Sequence, residues 1–224
     1  MRRFDAVLFD AGNTLVYLDH ARVAEIAGGD VQEGDLWRGE RLARQDADHL
    51  AASGQGHLAR WGRYMAVMLE TAGLTGEARD DAVDRLLTEH MRANLWSRVP
   101  ASVAPTLRRL KEAGYVLGVI SNAEGTVAEL LADAGLKPFF RFIIDSHLVG
   151  VEKPDPRIFA LGLERAGTTP ERTLFIGDAY GIDVAGARGA GLEAVLLDSF
   201  GIYEHVDCAR IEALAELVSM VEAG

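Results

Sequence analysis

From residue 103 onward the chain repeats one phrase, a helical stretch closed by glycine and then a short apolar run. The helix expected over 103–113 ends at Gly114 and leads to a strand over 115–120. The next, near 126–134, ends at Gly135 ahead of a strand over 142–145. A third, over 156–166, ends at Gly167 ahead of 173–176. A helix near 182–189 then precedes a strand over 193–197, and a last helix is expected over 211–221. Glycine closes helices because it adopts the left-handed conformation without a Cβ penalty. Apolar runs without polar alternation are strands buried on both faces. Such alternation predicts the α/β class, a Rossmann-like doubly wound parallel sheet with right-handed crossovers.

The first strand of that sheet lies far from the rest. Residues 4–10 read as a short buried strand ending at Asp10, and residues 18–97 then show helical periodicity throughout. The glycines at 28–29, 54, 56, 73 and 76 divide this stretch into about four helices. Trp61, Tyr64, Met65, Met68 and Leu69 recur in it at helical spacing, which reads as core packing. The expected organisation is a core domain of residues 1–17 and 98–224, with an α-helical cap domain of residues 18–97 inserted just past the C-terminal end of the first strand. Ligands of open α/β sheets bind at that edge.

The chain has 224 residues and a formal net charge of -11, which argues against general affinity for nucleic acid or anionic membranes. The single cysteine, Cys208, cannot form an internal disulfide and suits a reducing compartment. Arg2 and Arg3 are followed by Asp5 and Asp10, which interrupt any signal-like apolar segment, so the expected location is cytoplasmic. Monomer and homodimer both remain open.

Four polar segments close apolar runs or lie in loops at one sheet edge. Asp10 is followed by Ala11, Gly12, Asn13 and Thr14. Ser121 and Asn122 follow the second strand, and Lys153 precedes Pro154 in a loop. Asp178 follows Gly177, with Asp183 five residues on. Each alone has a plain alternative reading as a cap, turn or solvated residue. Jointly they supply a nucleophile-grade carboxylate, a phosphate-binding hydroxyl, a cation and two carboxylates suited to a metal.

On these residues the chain resembles the haloacid dehalogenase (HAD) superfamily of hydrolases, in its helical-cap form. The matching segments are Phe9-Asp10 with Thr14 and Leu15, Ile120-Ser121-Asn122, Lys153-Pro154, and Gly177-Asp178 with Asp183, Gly186 and Ala187. The resemblance implies a phosphatase acting on a small phosphorylated metabolite, in which Asp10 attacks phosphorus and forms an aspartyl-phosphate that water hydrolyses. Asp10, Asp178, Asp183 and a phosphate dianion bring about five negative charges together, which calls for compensation by Mg²⁺ and Lys153. The implied metal ligands are Asp10, Asp178 and the Gly12 carbonyl, with Asp183 as ligand or support; hard oxygen donors suit Mg²⁺. Ser121 and Lys153 join Asp10 in catalysis, and Gly12, Asn13, Thr14, Ser121, Asn122 and Lys153 bind the phosphoryl group.

One position departs from the family's phosphatase pattern. An aspartate two residues after the nucleophile protonates the leaving group; here that position is Gly12, followed by Asn13. Such an acid typically contributes about 10²–10⁴ in rate. The helical insertion could supply a substitute, with Asp19, His20, Glu40, His49 and His57 as candidates. The substrate could instead carry a good leaving group, such as an acyl phosphate, or the protein could bind or accept phosphate with little turnover. Phosphonate-cleaving relatives use a lysine of the cap, and this chain has no lysine before Lys111. The 2-haloacid dehalogenases also lack the acid and need no metal, but their fourth motif lacks the carboxylate that Asp178 supplies. Dehalogenation is the alternative activity.

Overall fold

The computed structural model describes residues 2–51 and 55–222, without the side chains of 47–51. The chain divides into two compact units, Met1–Tyr17 with Arg98–Gly224, and Leu18–Ser97.

The first unit begins with β1 (Ala6–Phe9). The second holds α1 (His20–Ala27), α2 (Glu33–Ala51), α3 (His57–Thr71) and α4 (Gly76–Arg92). The first unit resumes with α5 (Val103–Glu112), β2 (Val116–Ser121), α6 (Val127–Asp133), β3 (Phe142–Asp145), α7 (Ser146–Val149) and α8 (Pro156–Ala166). It ends with β4 (Thr173–Gly177), α9 (Ala185–Gly189), β5 (Glu193–Leu197), β6 (Ala209–Ile211) and α10 (Glu216–Glu222).

The six strands form one sheet in the order β3-β2-β1-β4-β5-β6. Every pairing is parallel. This is the doubly wound order whose direction reverses beside the first strand, where ligands of such sheets bind. The strands are nearly continuous apolar runs because helices cover both faces. β1 is buried along its whole length, and Leu8, Ile120, Phe159 and Phe175 pack in one cluster with Val184 and Leu196. Phe159 of α8 meets Phe175 of β4 edge to face at 5.2 Å between ring centres, the arrangement that the ring quadrupoles favour.

Local geometry departs from the sequence expectation at two places. The helix expected near 182–189 begins as one π turn over Tyr180–Val184 before α9. The last helix does not start at Ile211. Residues 209–211 form edge strand β6, and α10 is confined to 216–222. Three residues carry too little pattern for a period to be read, so β6 was invisible to hydropathy.

In the helical unit, Leu18, Val23, Leu36, Trp61, Met65, Met68, Leu69 and Leu86 form a separate core. The stripe of α3 thus packs inward as expected, with Tyr64 half-buried against it. α2 and α3 approach so closely at Gly39 that a Cβ there would lie 2.8 Å from the Cα of Met68. No helix among the described residues is long and apolar enough to cross a membrane.

Candidate active site

Asp10 follows directly on β1, and its backbone N–H donates to the Ile176 carbonyl of β4 at 2.8 Å. The carboxylate therefore sits at the C-terminal edge of the two central strands. The chain then turns tightly, with Leu15 and Val16 N–H groups both donating to the Ala11 carbonyl. The turn's left-handed residue is Asn13, at φ 56°, and not Gly12. Asparagine is one of the few residues with a side chain that tolerates this region. Tyr17 and Arg98 then pair as an antiparallel bridge, so the chain leaves and re-enters this unit along adjacent paths.

Three carboxylates converge at this edge. Asp10, Asp178 and Asp183 each offer an oxygen within 4.8 Å of the others. Lys153 lies between two of them, its Nζ 2.6 Å from Asp10 Oδ1 and 2.7 Å from Asp183 Oδ1. The lysine is 3% exposed and its ammonium stands 5.4 Å over the Phe175 ring. Burial pushes the Asp10 carboxyl up to about 6 against the opposing pull of Lys153, and the neighbouring Asp183 charge adds to the rise. Burial alone would lower the Lys153 pKa. The charges of Asp10 and Asp183 outweigh it, and the pKa is raised, so the ammonium stays protonated.

Asp183 has both oxygens engaged, Oδ1 with Lys153 and Oδ2 accepting from the Ala179 N–H at 3.0 Å. The π turn aims it back over β4, where a Cβ on Gly177 would come within 2.3 Å of the Asp183 Cγ. Only glycine leaves room for that carboxylate. Gly186 plays a similar part, because a Cβ there would lie 3.0 Å from Pro154 and so crowd the loop that carries Lys153.

This donor set fits a divalent cation. Its ligand atoms are all hard carboxylate oxygens, and two of the three carboxylates share one buried ammonium, so negative charge at the edge is only partly offset by Lys153. Asp10, Asp178 and Asp183 are the residues that would hold it. Close by in sequence, the buried Thr14 hydroxyl has no hydrogen-bond partner among the described residues, as expected of a group held for a ligand.

Ser121 ends β2 with 4% exposure, in register beside Asp145 of β3. Asn122, expected to bind substrate, has its side chain bonded to the lysine loop. Its Nδ2 donates to the Lys153 carbonyl at 2.9 Å and its Oδ1 accepts from the Lys153 N–H at 2.8 Å. It clamps the backbone of the lysine loop, and that role was not apparent from its position after a strand.

Three of the proposed stand-ins for the missing acid, Asp19, His20 and Glu40, make hydrogen bonds within the helical unit. Asp19 caps α1, accepting from the Arg22 N–H at 3.1 Å. His20 Nε2 and Glu40 Oε2 are buried 2.7 Å apart, and the Tyr64 hydroxyl donates to the other Glu40 oxygen at 2.6 Å. His57 is half-buried at the start of α3. The side chain of His49 lies outside the described residues.

Sequence reasoning also passed over Asp145 and Ser146. Asp145 closes the apolar run of β3 just as Asp10 closes that of β1, so the same signal was available.

Comparison with known proteins agrees with this architecture. The chain is 32% identical over 135 residues to the haloacid dehalogenase-like hydrolase domain-containing protein 3 of Mus musculus, covering 58% of this chain and 53% of the mouse protein. It is 43% identical over 95 residues to the glyceraldehyde 3-phosphate phosphatase of Methanothermobacter thermautotrophicus, covering 42% of each. The chain thus spans about half the length of these curated relatives. The enzyme of the same name from Methanopyrus kandleri is 29% identical over 198 residues, covering 85% of this chain and 82% of that protein. Among solved structures, the HAD-hydrolase YfnB of Bacillus subtilis aligns with a TM-score of 0.72 at 22% identity, covering 98% of this chain and 99% of its own. A 2-haloacid dehalogenase of Pseudomonas syringae aligns with a TM-score of 0.60 at 26% identity, covering 98% of each chain. The family model of the haloacid dehalogenase-like hydrolases matches residues 4–191. With a match of that extent, the doubly wound sheet and the carboxylates gathered at its edge, this chain belongs to the haloacid dehalogenase-like hydrolases.

Proposed function

We propose that this hydrolase is a Mg²⁺-dependent phosphatase that cleaves a small phosphorylated metabolite through an aspartyl-phosphate on Asp10. The observation that carries the reading is the group of three carboxylates at the sheet edge, of which Asp10 and Asp183 are buried against Lys153 and Asp178 is half-buried. A metal-free site holding that charge would repel an anionic substrate. A divalent cation held by Asp10, Asp178 and the Gly12 carbonyl would neutralise that charge and polarise a phosphoryl oxygen. The phosphatase names of the archaeal relatives support the same reading.

In this account an Asp10 carboxylate oxygen attacks phosphorus in line with the departing ester oxygen, and the P–O ester bond breaks as the Asp10–P bond forms. Lys153 holds Asp10 in place and offsets charge on the phosphoryl oxygens. Ser121 and Thr14 hydroxyls donate to those oxygens, and Asp183 fixes the lysine. Water then attacks the aspartyl-phosphate and releases inorganic phosphate. We assign the chemistry to residues 1–17 and 98–224 and the choice of substrate to the helical residues 18–97.

Gly12 offers no proton to the leaving group. The reading therefore favours phosphates that leave without one, acyl and aryl phosphates, over sugar phosphates. The second reading is carbon–halogen hydrolysis, favoured by that same missing acid and by the likeness to the Pseudomonas syringae dehalogenase. A panel of phosphate esters with Mg²⁺, run beside 2-haloacids with chelator, separates the two. The expected result is phosphate release that requires Mg²⁺ and is lost in Asp178→Asn. Halide release in chelator, with no phosphate released from any ester, would replace this reading by the second.

A further inference from the structure

We propose that Asp145 is a positioning residue that holds the phosphoryl-binding loop beginning at Ser121. The inference rests on the reading that this loop receives the phosphoryl group, and extends it to a side chain outside the four motif segments. Asp145 ends β3 and is the register partner of Ser121, the last residue of β2. It is 3% exposed. Its Oδ2 accepts from the backbone N–H of Gly125 at 3.0 Å and of Val127 at 3.2 Å. Its Oδ1 accepts from the His147 N–H at 3.0 Å and so caps α7. The next residue, Ser146, adds a third tether, its Oγ accepting from the Ala123 N–H at 3.1 Å.

From β2 to the first residue of α6, alternate N–H groups, those of residues 123, 125 and 127, are therefore fixed to Asp145 at the end of β3 and Ser146 at the start of α7. A carboxylate taking several backbone N–H groups makes charge-assisted bonds, stronger than neutral ones. Gly125, at φ 100°, would otherwise have wide conformational freedom. The other end of the loop is tied by Asn122 to the Lys153 backbone. Asp145 thereby keeps the chain after Ser121 in one conformation before any ligand arrives, and preorganisation of donors is what makes such loops bind oxyanions tightly.

Capping and loop-holding separate by substitution. In Asp145→Ser the hydroxyl still caps α7, but it cannot also reach two N–H donors of the loop. Asp145→Asn puts an NH₂ or a single carbonyl oxygen where Oδ2 accepted twice. Both are measured as the full chain with Mg²⁺, using para-nitrophenyl phosphate as substrate and orthovanadate as the inhibitor. The KM and the vanadate Ki are expected to rise together by about tenfold, with kcat changed by less than about threefold. A purely structural role would lower the melting temperature and the active fraction, and leave KM and Ki where they were.

Ser121→Ala reports on the underlying reading. If wild type binds vanadate and Ser121→Ala weakens it, while folded Asp145 variants keep wild-type KM and Ki, the positioning role is overturned. If vanadate binds neither wild type nor Ser121→Ala, the phosphoryl site is not there and the inference falls with it. Should both Asp145 variants fail to fold, Ser146→Ala removes the Ala123 tether alone. A smaller rise in KM and Ki of the same kind supports the role, and no rise overturns it.

Discussion

Asp10 stands in a buried site where ionisation is costly even with Lys153 at 2.6 Å, and its pKa is pushed up to about 6. A carboxyl whose folded pKa lies above its unfolded one contributes stability below the unfolded value, near 4. That stability is lost as the pH rises through the folded value. In chelator at pH 7.5, Asp10→Asn is therefore expected to raise the melting temperature, by the equivalent of roughly 1–3 kcal/mol. Below about pH 4 the gain should vanish, because Asp10 is then neutral in both states. Melting curves at both pH values check this, and a variant less stable than wild type at pH 7.5 would show that the Lys153 pair outweighs the burial cost. At Gly12 the backbone does not stand in the way of a side chain's φ preference. The left-handed residue of that turn is its neighbour Asn13, and Gly12 has no positive φ that an aspartate would resist. Gly12→Asp is expected to raise turnover of alkyl phosphates by up to about 10²-fold and to flatten the dependence of rate on leaving-group pKa. Unchanged leaving-group dependence would mean that another side chain already transfers the proton.

Packing of whole elements follows from where glycine is unavoidable. On α2, a Cβ at Gly39 would come within 2.8 Å of both the Cα and the carbonyl oxygen of Met68 on α3, and backbone cannot turn aside as a side chain can. Gly39→Ala is expected to force the two helices apart and to cost about 1–3 kcal/mol, seen as a lower melting temperature. Much at this scale was legible beforehand. The strands at 115–120, 142–145, 173–176 and 193–197 announce themselves as unbroken apolar runs after helix-closing glycines, and the observed strands lie within a residue of them. Asp10, Ser121, Asp178 and the lysine loop were legible because each polar group ends such a run or interrupts a loop at the same edge. What stayed hidden depends on direction rather than position. Hydropathy cannot tell that Asn122 turns toward Lys153, or that Asp183 is thrown over Gly177 by a π turn. Nor can it tell that His20 of α1 and Glu40 of α2, 20 positions apart, find each other. β6 was too short to carry a pattern at all.

At the scale of the whole chain, the doubly wound sheet brings residues 10, 121, 153, 178 and 183 to one edge although 173 positions separate the first from the last. Parallel topology does this without any local preference, since every crossover returns the next strand to the same starting edge. The carboxylate cluster at that edge is the feature the functional account depends on, because in that account it holds a divalent cation and presents one carboxylate to an incoming phosphate. The measurement that tests it most directly is acid-quenched labelling with ³²P-acetyl phosphate, followed by mapping of the labelled peptide. The account predicts hydroxylamine-sensitive label on Asp10 in the presence of Mg²⁺, none in chelator and none in Asp10→Asn. Phosphate release that persists in Asp10→Asn, or label that forms on another residue or without metal, would contradict it.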